Sequence, residues 1–369
     1  MDNAPCWCGS GKTFQECHID RIQDFPLPPG KINDVLRKIY TKKVCLHPEA
    51  SKEQCTKIIQ AHTIQRRGAI ERITSSDNHV LSFYPPEKDQ HNKLKLHRVG
   101  WKKASTFRGF CSHHDNSLFS NLEDEGFIGT DKQCFLVGYR ALCHALYQKI
   151  TVKDSVPFLK SSLDKGRILY EQFFIQDLIA TSNEGLSKGL EDLTPIKQEY
   201  DKAIMENSYN SIHQVVIDFK GTMAFTSTGV IHVEFDVNGK LLQDLLSAPV
   251  PAQTFSISIV STEQGGVFIA TWPRRFSKCK DFFRALFAID KQNIPSILLE
   301  FIFAYVENTF FSETWWNSLT HFQRDHLNEL AGLLVPYGKL QAWTGNRYLD
   351  WEITEINSTF SSNSENQST

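Results

Sequence analysis

Cys6-Trp7-Cys8-Gly9-Ser10-Gly11-Lys12-Thr13-Phe14-Gln15-Glu16-Cys17-His18 places four metal-binding side chains, Cys6, Cys8, Cys17 and His18, within 13 residues. Zinc takes four tetrahedral nitrogen or sulfur ligands, and a complete protein set marks a structural site. So short a segment buries almost no apolar surface, so the metal supplies most of its folding free energy. The chain has to reverse after Cys8, and Gly9 and Gly11 can take the positive φ that such a turn needs. Backbone N–H groups in that turn are placed to hydrogen-bond the Cys8 thiolate. With all four positions filled by the protein, this zinc has none open to substrate and holds a docking piece together.

The pattern Cys-x-Cys-Gly-Ser-Gly-Lys followed by Cys17-His18 resembles the SEC-C motif. The resemblance implies a zinc-bound knob that docks a protein or a nucleic acid. It implies no nucleotide-driven motor, because no Gly-x-x-x-x-Gly-Lys-Ser/Thr stretch occurs in the chain.

Working outward, residues 44–122 hold a second cluster: Cys45, His47, Cys55, His62 and Cys111-Ser-His-His114-Asp115. Cys111-x-x-His114 has the two-residue spacing of a zinc knuckle, and Cys45 and Cys55 complete a second set of four. His47 is an alternative to Cys55, or a group just outside the ligand set. The layout resembles the HNH/treble-clef endonucleases. That resemblance implies His62 as the water-activating base and Asp115 as a ligand for Mg²⁺ or Mn²⁺. The sequence departs from the family at Ala61, where an acidic metal ligand is common. The family's central Asn has no clear counterpart, and Ser105, Thr106 and Asn116 are the nearest polar residues.

Charge is unevenly spread. Residues 31–110 carry 17 Lys/Arg against 7 Asp/Glu, and residues 121–369 carry 21 against 30. A basic segment of this kind suits a polyanion such as nucleic acid, or is simply a solvated face. The start of the chain has no apolar secretory segment, and its longest apolar run, Ile297–Val306, is broken by Glu300. A cytoplasmic protein is expected, with its nine cysteines serving as metal ligands or free thiols.

The fold class read from the pattern is α+β: small N-terminal zinc modules followed by a mixed helical and antiparallel-sheet domain. The expected division is residues 1–20 as the SEC-C-like module, 21–43 as linker and basic helix, and 44–122 as the second zinc domain. Residues 123–357 form the α+β domain, and 358–369 a Ser/Asn-rich disordered tail. Apolar periodicity predicts helices at Cys134–Lys149, Pro157–Ala180, Leu193–Asn207, Lys278–Ile289, Pro295–Glu307 and Ser312–Val335. β-branched and aromatic runs predict strands at His213–Phe219, Val230–Val237, Thr254–Val260 and Gly266–Trp272, with turns at Asn238-Gly239 and Gly265-Gly266. Glu234 and Asp236 would share one strand face with Asp218 nearby, as an exposed acidic face or a metal pair. Trp315-Trp316 reads as packing or as a partner-binding patch, and Cys143-His144 as packing.

Two functions compete at this stage. One is a nucleic-acid-associated protein, a divergent HNH-type nuclease in bacterial antiviral defence or DNA processing. The other is a non-catalytic zinc-stabilised adaptor that docks a protein partner through the SEC-C module. No membrane partner is expected.

Overall fold

The computed structural model describes residues 4–64, 69–123, 127–247, 249–262, 264–333 and 344–360. They divide into two compact units, one of residues 1–44 and 146–194 and one of residues 45–145 and 195–369.

In the first unit, helix α1 (Phe14–Cys17) carries the end of the cysteine module and α2 (Pro29–Tyr40) follows the proline linker. The unit also takes the later part of α4 (Asp131–Ser162) and the earlier part of α5 (Leu169–Met205). The Tyr147 hydroxyl lies 3.0 and 2.9 Å from the carbonyl oxygens of Tyr40 and Lys42 and fixes the end of α2. Two long helices thus replace the three expected between residues 134 and 207. The chain breaks at Gly166, which takes φ +72° and donates its N–H to the Arg21 carbonyl at 3.0 Å. A Cβ there would stand 2.8 Å from the Asp24 carbonyl oxygen, so glycine is required. Gly185 and Gly189, in the gap between the expected helices Pro157–Ala180 and Leu193–Asn207, lie inside α5, and Gly189 packs closely on the Lys149 side chain.

The second unit is built on an eight-stranded antiparallel sheet in the order β10-β5-β8-β7-β6-β9-β2-β3. Its centre is β5 (Ile212–Lys220), β6 (Phe225–His232), β7 (Thr254–Ser261) and β8 (Gly265–Pro273). All nine residues of β8 are buried, so both faces of the sheet are covered. On one face Val267 and Ile269 pack with Val216, Val260 and Cys134 of α4. On the other, Trp272 stacks on Phe283 of α6 (Ser277–Phe287), with centroids 5.0 Å apart. The aromatic layer continues through Phe255, Phe282 and Phe301 of α7 (Ile294–Tyr305). Aromatic rings thus fill much of the core on this face, each buried ring contributing about 2–3 kcal/mol.

The sheet exceeds the four or five strands expected. It recruits the short β9 (Thr309–Phe311), the late β10 (Glu352–Ser358), and β2 (His79–Ser82) and β3 (His97–Gly100) from the segment expected to be a separate zinc domain. Leu81 of β2 pairs with Phe311 of β9, which itself pairs with β6, so strands from both sides of residue 122 share this sheet. β6 also begins earlier than expected and ends at His232. Gly265 and Gly266 lie within β8, where a Cβ on Gly265 would meet the Phe219 carbonyl oxygen at 2.1 Å. The expected helix from Ser312 is two, α8 (Glu313–Ser318) and α9 (His321–Gly332). Thr320 caps the second, and its expected end at Val335 lies outside the described residues. β10 reaches Ser358, where a disordered tail was expected to begin, and residues 361–369 lie outside the described residues.

Candidate metal centres

The cysteine module folds as a reversal closed by short backbone pairings. Pro5 bridges Thr13, and Cys6 N–H donates to the Lys12 carbonyl at 2.8 Å. Gly9 and Gly11 take φ +71° and +76°, as the sharp return after Cys8 requires. Thr13 and Glu16 cap α1 reciprocally and aim its last residue, Cys17, and the following His18 back at Cys6 and Cys8.

The metal-binding atoms of Cys6, Cys8, Cys17 and His18 all lie within 4.8 Å of one another. Cys6 Sγ is 3.1 Å from His18 Nδ1 and 3.4 Å from Cys8 Sγ, which is 3.7 Å from Cys17 Sγ. A tetrahedral zinc sets such edges at about 3.8 Å for sulfur pairs and about 3.5 Å for sulfur to nitrogen. The donor set thus fits zinc in chemistry and in spacing.

Behind His18 stands a group that the sequence pattern does not reveal. His18 Nε2 lies 3.0 Å from Asp164, whose side chain is fully buried. Arg21 pairs with the same carboxylate, its Nε donating at 2.7 Å, and Gln176 Nε2 donates at 2.8 Å. Burial would raise the Asp164 pKa, but the Arg21 and Gln176 hydrogen bonds, the Arg21 charge and His18 hold it below the ordinary value. Burial also lowers the pKa of His18, which favours the neutral ring a metal needs. A carboxylate at Nε2 fixes that proton and leaves Nδ1 free to ligate. The Cys6 thiol is pushed up to about 12 by burial, whereas hydrogen bonds from Ser10 and the neighbouring sulfurs bring Cys8 below its ordinary value despite burial. Zinc would supply the positive charge that keeps such sulfurs as thiolates.

The second set, Cys45, Cys55, Cys111 and His114, also lies within 4.8 Å. His114 Nδ1 is 3.4 Å from Cys45 Sγ, 3.4 Å from Cys55 Sγ and 3.2 Å from Cys111 Sγ, again near the edge lengths of a tetrahedron. Backbone pairing assembles it. Leu46 N–H bonds the Gly109 carbonyl, Ile59 N–H the Phe110 carbonyl, and Ser112 N–H the Lys57 carbonyl. Helix α3 (Ser112–Glu123) starts directly after Cys111 and carries His114 on its first turn. His47 stacks flat on the His114 ring at 3.9 Å, and its Nδ1 accepts the Glu49 N–H at 3.1 Å. Burial, then the charges of His114, Lys197 and His113, lower its pKa to about 4. The four-donor set is thus completed by Cys55. His47 falls in a smaller group with Glu49 that shares His114.

His62 and Asp115 are placed differently. His62 is half-buried on the two-residue strand β1 (Ala61–His62), opposite Thr106 of β4 (Thr106–Phe107). Asp115 is buried in the first turn of α3. Neither belongs to any group of three or more candidate metal ligands among the described residues. Of the nearby polar residues, Ser105 takes φ +55° and is held by Thr63, with Asn308 Nδ2 donating to both at 3.2 and 3.0 Å. The acidic strand pair is likewise dissolved. Glu234 and Asp236 lie beyond the end of β6, and Asp236 Oδ1 accepts the N–H groups of Asn238 and Lys240 in the Asn238-Gly239 turn. Trp315 and Trp316 pack among Phe225, Phe303 and Phe311.

Among the described residues no helix is long and apolar enough to cross a membrane. No curated protein and no solved structure matches the chain. The model of the SEC-C motif matches residues 3–19, the stretch that holds the first donor set, and with the two Cys/His clusters this supports a zinc-binding protein.

Proposed function

We propose that this chain is a zinc-stabilised adaptor. Both Cys₃His centres are structural, and the SEC-C-like module serves as the docking piece for a protein partner. The observation that carries this reading is the closure of both donor sets: each offers four protein ligands near tetrahedral spacing and no open position. Among the described residues His62 and Asp115 fall in no group of three or more candidate metal ligands, so an HNH-type cleavage draws no support from them. The positive balance of residues 31–110 supports nucleic acid as a second partner class.

Metal content tests the base of the proposal. The chain should hold two zinc ions, Cys8→Ser should lose one, and Cys55→Ser the other. One zinc in the native chain, unaffected by Cys55→Ser, removes the second centre. Incubation with DNA and RNA in Mg²⁺ or Mn²⁺ tests the adaptor reading. Cleavage that disappears in His62→Ala would replace it with the nuclease, whereas salt-dependent binding without cleavage would keep it and add nucleic acid as the partner.

A further inference from the structure

Within the first unit, α5 buries Gln172, Gln176 and Ile179 and turns its opposite side to solvent. That outer side is apolar. Tyr170 is 77 %, Phe174 60 %, Leu178 58 % and Phe173 54 % exposed, with Ile168 and Leu169 beside them. Helical spacing puts Tyr170, Phe174, Asp177 and Thr181 on one stripe, flanked by Phe173 and Leu178. The Phe173 ring also touches Trp7 of the zinc module, at 5.4 Å between centroids. The three rings on α5 leave about 350–400 Å² in water, and their aliphatic neighbours bring the apolar total to roughly 600 Å². A stable dimer buries about 800 Å² on each partner, of which rather more than half is apolar.

We propose that this face is a two-fold interface with a second copy of the chain. Charge decides for a second copy over an unrelated partner. The only acid on the stripe is Asp177, and Arg167 lies just before the helix, half exposed and only loosely paired with Glu171 at 4.0 Å. In sequence, residues 167 and 177 are each five positions from residue 172, and Tyr170 and Phe174 are each two. An antiparallel pair of α5 helices centred on residue 172 sets Tyr170 against Phe174 of the second copy. It also sets Arg167 against Asp177 of the second copy. Two-fold symmetry makes both matches twice.

Sedimentation equilibrium of the zinc-loaded 369-residue chain, from low to high micromolar, should give twice the 42.2 kDa chain mass. The double variant Tyr170→Glu/Phe174→Glu should be monomeric with unchanged zinc content and circular dichroism. Arg167→Asp and Asp177→Arg should each weaken self-association about tenfold, and combining them should restore it. A native monomer at every concentration overturns the proposal. So does a dimer that survives Tyr170→Glu/Phe174→Glu, or one that the charge variants leave unchanged.

Discussion

Asp164 is the residue on which the first metal centre leans, and it stands 146 positions from the histidine it contacts. Its carboxylate fixes the His18 proton on Nε2. Asp164→Asn keeps the shape but removes the charge, so affinity for the first zinc should fall about 10–100-fold. Competition with a chromophoric chelator measures this, and the second zinc should be released as in the native chain. The cluster of donors was legible because Cys-x-Cys and Cys-His crowd them into one short stretch. Asp164, Arg21 and Gln176 were not, since local spacing carries no trace of a partner brought in from the link between two long helices. His144 makes a second residue-scale prediction. It is buried on α4 against the Phe107 ring, and burial lowers its pKa from 6.5 to about 4. The unfolded chain therefore binds its proton first, so stability is full above pH 6.5 and falls as the pH drops toward 4. By pH 5 the loss is about 2 kcal/mol. His144→Phe should remove that part of the acid sensitivity, read as a smaller shift in urea midpoint between neutral and acid pH. Equal shifts in the two proteins would refute it.

Helix α4 approaches β8 at Gly138, and this contact sets how closely one helical layer covers the sheet. A Cβ on Gly138 would fall 2.0 Å from Thr271 Oγ1, and Thr271 is buried and also lies 3.3 Å from the Tyr200 hydroxyl. Gly138→Ala should destabilise the second unit by about 1–3 kcal/mol through overpacking. Thr271→Ala removes the obstructing hydroxyl, so the double variant should be less unstable than the two single losses predict. Denaturant midpoints of the four proteins make that cycle. Elements were legible where pattern and burial agree. The strands at 212–220, 254–261 and 265–273 are β-branched and buried, α6 buries Cys279, Phe282, Phe283 and Leu286 at helical spacing, and α7 carries a long apolar stretch. β2, β3 and β9 are only three or four residues long, too short for a period to declare itself, and exist because the sheet edge pairs with them. The break between α4 and α5 was misplaced for a similar reason. A glycine count cannot tell a residue that must take positive φ, Gly166, from ones that a helix absorbs, Gly185 and Gly189.

At the scale of the molecule, the two units rest on different forces. Few residues of the zinc module are buried; its own hydrogen bonds close one reversal and one turn of helix, and Asp164 and Gly166 tie His18 and Arg21 to the long helices, so metal ligation carries much of its order. The second unit is held by an eight-stranded sheet covered on both faces by aromatic and aliphatic side chains. Its own Cys₃His set gathers donors from Cys45, Cys55, Cys111 and His114, outside the strands of that sheet. The stabilities of these parts should therefore separate. In native-state hydrogen exchange, Cys8→Ser should release the amides of residues 4–24 to near-unprotected rates. The protection of β5, β7 and β8 should stay within about threefold of the native chain. Cys55→Ser should instead loosen residues 45–64 and the start of α3, again leaving the central strands protected. Loss of protection across β5–β8 on removal of either cysteine would mean that zinc holds the whole molecule rather than its attached modules. The docking piece would then be inseparable from the sheet in stability, and the adaptor reading would lose its physical basis.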